Sequence, residues 1–242
     1  MSNVEQDTAL SEIRRGDSGN RLSLSDQVYE HLTDRIIRGD IQYGDRLNIK
    51  TIAGELGVSP MPIRDALKRL EFENVVTIKA RSSCYVRVPT KKATLDAVDA
   101  RRMTEVFALR QVYRSATAED LTELRRIVGD MERLAKRMAA NRTRSSIEEY
   151  IELDRHFHTA ICAIARNDYL DRFYRQISMH LNMSFRYGSG VCHGIEQTLQ
   201  EHKEILDGLY HNSEHAVDAL EEHLLQSREN ILNEPTFQLL ED

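Results

Sequence analysis

Apolar residues recur at helical spacing along most of this chain. Val28, Leu32 and Ile36 stand at i, i+4 and i+8, which predicts a helix over about Ser25–Arg38, capped by Ser25 and stopped by Gly39. After a turn at Gly44-Asp45, the set Ile52, Ala53 and Leu56 predicts a short helix over about Lys50–Leu56 that ends at Gly57. Ser59 then caps a third helix, whose first position is Pro60, where a missing N–H costs nothing. Its inward stripe is Ile63, Ala66, Leu67 and Leu70. The period changes at Val75–Ile78 and Cys84–Val88, which predict two short strands around the polar turn Ala80–Ser83. Three helices and a hairpin in that order describe a winged helix-turn-helix.

Beyond Val88-Pro89-Thr90-Lys91-Lys92 the pattern is helical throughout, with about six helices expected. Thr117 with Asp120 opens one that carries Leu121, Leu124, Ile127, Met131, Leu134 and Met138. Ser146 with Glu149 reads as a capping box ahead of Ile147, Ile151, Asp154, His158 and Ile161. Asp168 is expected to cap a helix with Leu170, Phe173, Ile177 and Leu181, and Gly188–Gly194 reads as a loop. Two further stripes follow: Leu199, His202, Leu206 and Leu209, then Ala216, Ala219, Leu220, His223 and Ile231. The expected fold class is mainly α, a winged helix-turn-helix followed by an all-α bundle. The expected boundaries are a flexible tail at 1–20, a DNA-binding domain at 21–88, a linker at 89–93, a helical domain at 94–234 and a tail at 235–242.

Composition sharpens this picture. No proline occurs from Thr90 to Glu234, which favours stacked helices over strands and turns. No apolar run approaches the ~18 residues of a membrane helix, and the first twenty residues lack the apolar core of a signal peptide. Cys84, Cys162 and Cys192 make an odd number without metal-type spacing, as expected of reduced thiols in a cytoplasmic protein. The net charge of −6 hides an asymmetry. Residues 21–90 hold eleven Lys/Arg against nine Asp/Glu, residues 91–242 twenty against twenty-six, and eight of nine histidines lie at or beyond His156. The two parts therefore have different work.

In the third helix Met61, Arg64 and Lys68 share a face beside the core stripe. One packed face and one face of donors is what reading base edges and phosphates requires. Ser59, Arg69 and Arg81 belong to the same DNA-binding set, and Lys79 and Arg87 add charge around the wing. The stretch Val28–Val88 resembles the N-terminal domain of the GntR family of bacterial transcription regulators. The resemblance rests on Gly39-Asp40-Ile41-Gln42-Tyr43-Gly44-Asp45-Arg46-Leu47, on Ile52-Ala53 and Leu56-Gly57-Val58-Ser59, and on Pro62-Ile63-Arg64-Asp65-Ala66-Leu67-Lys68-Arg69-Leu70-Glu71. It places Arg64 at the family's DNA-contacting arginine. Pro60, Asn74-Val75 and Ser83 depart from the family pattern, which has arginine, glycine-leucine and glycine there.

Asp154 and His158 are i, i+4 within an apolar stripe, and His202 and His223 stand in apolar stripes of two other helices. Burying a polar group unpaired costs roughly 2–7 kcal/mol, so these four need compensation. A divalent ion held by one carboxylate and three imidazoles supplies it, zinc or nickel by ligand type. His156 points about 200° from His158 and is expected at the surface. The second half resembles the FCD effector-binding domain of the FadR branch, through Asp154-x-x-Phe157-His158, Asn167-Asp168-Tyr169-Leu170, Glu201-His202-x-x-Ile205 and Ala216-x-x-Ala219-x-x-x-His223-Leu224. That resemblance implies metal ligation by Asp154, His158, His202 and His223, and a carboxylate effector clamped by Arg101 beside Glu105. Arg186 is a further candidate effector-binding residue. Arg110 and Gln111 depart from the small apolar residues usual there. The expected function is a metabolite-responsive DNA-binding regulator, a repressor, acting as a homodimer on a near-palindromic operator. Two alternatives stand beside it: a metal-dependent hydrolase with a DNA-binding appendage, disfavoured because Glu201 points away from His202, and a sensor of the metal itself.

Overall fold

The computed structural model describes residues 22–79, 83–187 and 194–234. The expected tails, the tip of the wing with Arg81, the loop with Cys192, and the side chain of Arg186 lie outside the described residues. The chain divides into two compact units that meet in sequence at Val88 and Pro89. Among the described residues no helix is long and apolar enough to cross a membrane.

The first unit runs α1 (Leu24–Arg38), β1 (Arg46–Leu47), α2 (Ile49–Leu56), α3 (Pro60–Phe72), β2 (Val76–Lys79) and β3 (Ser83–Val86). The cap of α1 is Ser23 rather than Ser25. Asp26, three residues on, returns its carboxylate to the Ser23 N–H at 3.2 Å while its own N–H donates to Ser23 Oγ. Ser25 would have had Val28 at that position, which cannot close the box. Leu32, Ile36, Ile63, Leu67 and Leu70 are fully buried between α1 and α3. Gly57 turns the chain from α2 into α3 with φ +63°, a left-handed conformation that glycine adopts without penalty. Asn74 takes φ +60° where the family has glycine, and asparagine is among the side chains that tolerate it.

The sheet is antiparallel in the order β1-β3-β2, with Leu47 opposite Cys84 and Val76 opposite Val86. The β1 strand was absent from the sequence reading because two residues carry no periodicity. The two wing strands are also shorter than expected, though Val75 still accepts from Arg87 N–H at 2.9 Å.

The second unit contains α4 (Lys91–Val112), α5 (Ala118–Ala140), α6 (Arg144–Ile164), α7 (Asp168–Tyr187), α8 (Ile195–Tyr210) and α9 (His215–Leu232). Residues 91–93, expected in the linker, are already helical, because Thr90 Oγ1 accepts from the Ala93 N–H and starts α4 there. Thr117 and Asp120 close the box expected at α5. At α6 the cap is Thr143, paired reciprocally with Ser146, while Glu149 reaches Arg137 of α5 at 2.9 Å. At α7 Asn167 Oδ1 accepts from the N–H groups of Tyr169 and Leu170, so Asn167 does the work expected of Asp168.

A core of Leu109, Leu124, Met131, Phe157, Ile161 and Leu220 draws on α4, α5, α6 and α9. Gly208 lets α8 approach α9, since a Cβ there would lie 2.6 Å from the Ala216 nitrogen. Phe173, expected inward, is exposed. Its neighbour Tyr174 takes the interior instead, because its hydroxyl donates to the buried Glu105 at 2.8 Å.

Candidate functional site

Three helices converge their polar residues on one buried point. Asp154 and His158 come from α6, His202 from α8 and His223 from α9. One ligand atom from each lies within 4.8 Å of the others. His202 Nε2 and His223 Nε2 each stand 3.2 Å from His158 Nε2, and Asp154 Oδ1 is 3.5 Å from His202 Nε2. The three histidines are buried, whereas the Asp154 side chain keeps 20% exposure and gives the cluster its opening to solvent.

Carboxylates behind the histidines set their orientation. His158 Nδ1 donates to Glu105 Oε2 at 2.6 Å, and His223 Nδ1 donates to Glu201 Oε2 at 2.6 Å. Glu105 Oε1 also accepts from Arg101 Nε at 2.6 Å and from Tyr174. Arg101, fully buried, brings its other end to 4.0 Å from Asp154 Oδ2. Burial would raise the Glu105 carboxyl, but Arg101 and His158 outweigh it and hold it down at about 2. The same opposition holds Asp154 well below the usual carboxylate range, through His158, His202 and Arg101. Burial holds His202 and His223 neutral, and for His202 the neighbouring His223 adds to the effect. For His158 burial and Arg101 act downward, yet Glu105 and Asp154 carry its pKa upward.

A proton count tests whether the set suits a cation. A metal ligand must be neutral, and in that form, with their Nδ1 protons given to Glu105 and Glu201, His158 and His223 face each other through Nε2 lone pairs. His202 can supply one proton to one of the two short contacts, which leaves the other lone pair to lone pair. A divalent ion removes that repulsion, and one carboxylate with three neutral imidazoles is a ligand set that zinc accepts. The residues present fit the ion. His202 Nδ1 is buried without a hydrogen-bond partner among the described residues, which makes it the least supported of the three.

Glu201 adds to the sequence reading. Its 100° offset from His202 carries it to α9, where its carboxylate is spent on His223. It is therefore no free base for a hydrolytic water. A carboxylate behind a ligating histidine is worth 10–100-fold in metal affinity. Glu201→Ala is expected to weaken zinc binding by about that factor, read by chelator competition. Equal affinities in the two proteins would remove the role. Glu105, Tyr174 and Glu201 were not read as supports of the histidines, because their contacts join different helices. Arg101 is at the cluster as expected. Arg110 and Gln111 are exposed and do not line it, and His156 is at the surface beside Glu152.

In the first unit Met61, Arg64 and Lys68 stand exposed on α3, on the side away from Ile63 and Leu67. Arg64 has no ion-pair partner among the described residues, and Lys68 has only Asp65 at 4.0 Å. Ser59 makes no side-chain capping bond, so its hydroxyl stays available. Arg69 is different. It lies 3.6 Å over the Tyr29 ring and pairs with Asp26 and Glu73, binding α3 to α1. Arg87 Nε donates to Thr77 across the wing at 2.8 Å.

Comparison with known proteins agrees with both units. The family described as bacterial regulatory proteins, gntR family, matches residues 24–86, and the FCD domain matches residues 96–226. The Nta operon transcriptional regulator of Aminobacter aminovorans is 27% identical over 141 residues, 58% of this chain and 63% of that one. The gluconate operon transcriptional repressor of Bacillus subtilis is 24% identical over 151 residues, 62% of this chain and 59% of that one. The chain thus spans about three fifths of the length of these relatives. The solved structure of E. coli McbR/YncC superposes with a TM-score of 0.73 over 88% of this chain and 98% of that one, at 22% identity, and shares the fold. The chain therefore belongs to the gntR family of bacterial regulatory proteins, as a transcriptional regulator that joins a winged helix-turn-helix unit to an FCD domain.

Proposed function

We propose that this regulator is a cytoplasmic, metabolite-responsive repressor that binds a near-palindromic operator as a homodimer and responds to a small carboxylate at its metal site. The observation that carries the reading is the convergence of Asp154, His158, His202 and His223 beside Arg101, with Asp154 open to solvent. Those four residues would hold a divalent ion, which supplies positive charge for a carboxylate oxygen. Arg101 would then orient the acid from the side. Its charge is already shared with Glu105, so the arginine directs the ligand and does not hold it alone. The name of the gluconate operon repressor supports repression.

The deciding experiment is titration of small acids into the protein–operator complex, with wild type, metal-stripped protein and Arg101→Lys. Lysine keeps the charge but loses the fork of parallel donors. Release by an acid from wild type, and its loss in the other two, supports the reading. Equal release by all three would overturn it, and release governed by metal alone would point to a metal sensor.

Operator contact has its own test. Arg64→Ala is expected to weaken specific binding by ~1–3 kcal/mol and to relax preference at one base position. Arg69→Ala, by contrast, is expected to lower the melting temperature, because it severs α3 from Asp26. Gel shifts on a panel of operator variants and a thermal melt separate the two. Equal loss on specific and non-specific DNA would make Arg64 a phosphate contact.

A further inference from the structure

Two polar residues of α7, Ser178 and Asn182, are buried at 8% and 5% exposure, and neither makes a hydrogen bond to a described residue. Ser184, the next buried polar residue of that helix, is satisfied by Thr94 of α4 at 2.8 Å. Buried amides and hydroxyls without partners are costly and rare. Two of them one turn apart point to a ligand that supplies the partner.

The packing of α7 shows where they stand. Thr94 bonds Ser184 and Glu105 bonds Tyr174, so α4 and α7 run antiparallel, and that register sets Ser178 level with Arg101. The short connection from Ile164 to Asp168 makes α6 and α7 a second antiparallel pair, in which Tyr174 packs beside Cys162. Counting back from Cys162 sets Ser178 level with His158 and Asn182 level with Asp154. Ile177 and Leu181 are taken up by Val98 of α4 and Ile231 of α9. Ser178 and Asn182 instead continue the line of Tyr174, four and eight residues on, which faces between α4 and α6. They therefore stand at the height of the histidine cluster, with Asn182 at its opening to solvent.

Their chemistry says what fits. Arg101 is the one buried arginine or lysine among the described residues, and Glu105 already shares its charge. One carboxylate can turn to it and to the ion, but a second would meet only an amide and a hydroxyl on α7. Those two groups both donate and accept hydrogen bonds without carrying charge, as the hydroxyl of a ligand does. An alkyl chain would leave both of them unpaired.

We infer that Ser178 and Asn182 form the second half of the effector pocket and select a small monocarboxylate that carries hydroxyl groups. The inference rests on the carboxylate reading of the site and narrows it. A site built to bond a hydroxyl rejects the analogue that lacks it far more strongly than an apolar pocket rejects a change of size.

Calorimetric titration of the full-length, zinc-loaded protein decides it. The probes are straight-chain monocarboxylates of two to six carbons and their singly and multiply hydroxylated counterparts. The best hydroxylated acid is expected to bind at least tenfold more tightly than its plain counterpart. Ser178→Ala and Asn182→Leu are each expected to bring that ratio towards one, with the affinity for the plain acid and the zinc content unchanged. A loss of packing alone would weaken both acids together and leave the ratio as it was. Ser178→Ala removes a single oxygen, so it reads the contact even if Asn182→Leu folds poorly. Plain acids that bind wild type as tightly, or a ratio that survives both substitutions, would overturn the inference and leave the carboxylate reading standing. Failure of every acid in the series to bind would overturn both.

Discussion

Glu105→Ala is expected to destabilise the second unit by about 3–5 kcal/mol, the cost of leaving one member of a buried ion pair without its partner. The carboxylate is fully buried and serves Arg101, His158 and Tyr174 at once. Its loss strands a guanidinium in the interior and removes the acceptor that orients His158. For a unit of this size the melting temperature should fall by about 10 °C. The same group predicts an acid limb. Its carboxyl sits at about 2 against an ordinary 4.5, so the folded state holds the proton more weakly than the unfolded chain does. The stabilisation is therefore complete above about pH 4.5 and is lost as pH falls towards 2. Denaturant melts of wild type and Glu105→Gln between pH 7 and pH 3 test this. The gap between them should be constant above pH 5 and close below it, by about 2 kcal/mol at pH 3 out of about 3 kcal/mol in full. A gap that widens in acid would contradict the assignment.

His158→Ala is expected to abolish stoichiometric divalent metal binding and, with it, the stabilisation that metal confers. A ligand that binds only the folded state at a thousand times its dissociation constant adds about 4 kcal/mol. Added zinc or nickel should raise the melting temperature of the wild-type second unit by about 10 °C and leave the variant where it was. His202→Ala is expected to behave likewise, although its imidazole lacks the supporting carboxylate that His158 and His223 have. The winged unit has its own core of Leu32, Ile63 and Leu70, so non-specific DNA binding by both variants should survive. Elemental analysis after dialysis is the direct measurement, and unchanged metal in both variants would dismiss the site.

Much of this protein is determined by its sequence alone. Helix positions follow from apolar stripes that repeat every three or four residues, and the stripe of α3 leaves Met61, Arg64 and Lys68 outward by geometry alone. The four residues of the buried cluster were legible for a related reason. A carboxylate or imidazole inside an apolar stripe is conspicuous, because burial without compensation is costly. The motifs of the two units were readable as well, and the family matches agree with them.

Contacts between helices were decided only by the tertiary structure. Spacing could place Arg101 and Glu105 on one face of α4, but not show that Glu105 holds His158 of α6 and Tyr174 of α7. It put Glu201 100° from His202, and only the packing of α8 on α9 turned that offset into a bond with His223. Phe173 and Tyr174 exchanged places because one hydroxyl had a buried acceptor to satisfy. Arg69, expected in the DNA-contacting set, is tied to Asp26, Glu73 and Tyr29, which stand within its reach. Each case has the same physical reason. Periodicity reports which side of a helix is buried, whereas the partner of a buried polar atom depends on a second segment far away in the chain, and its identity is written in neither segment alone.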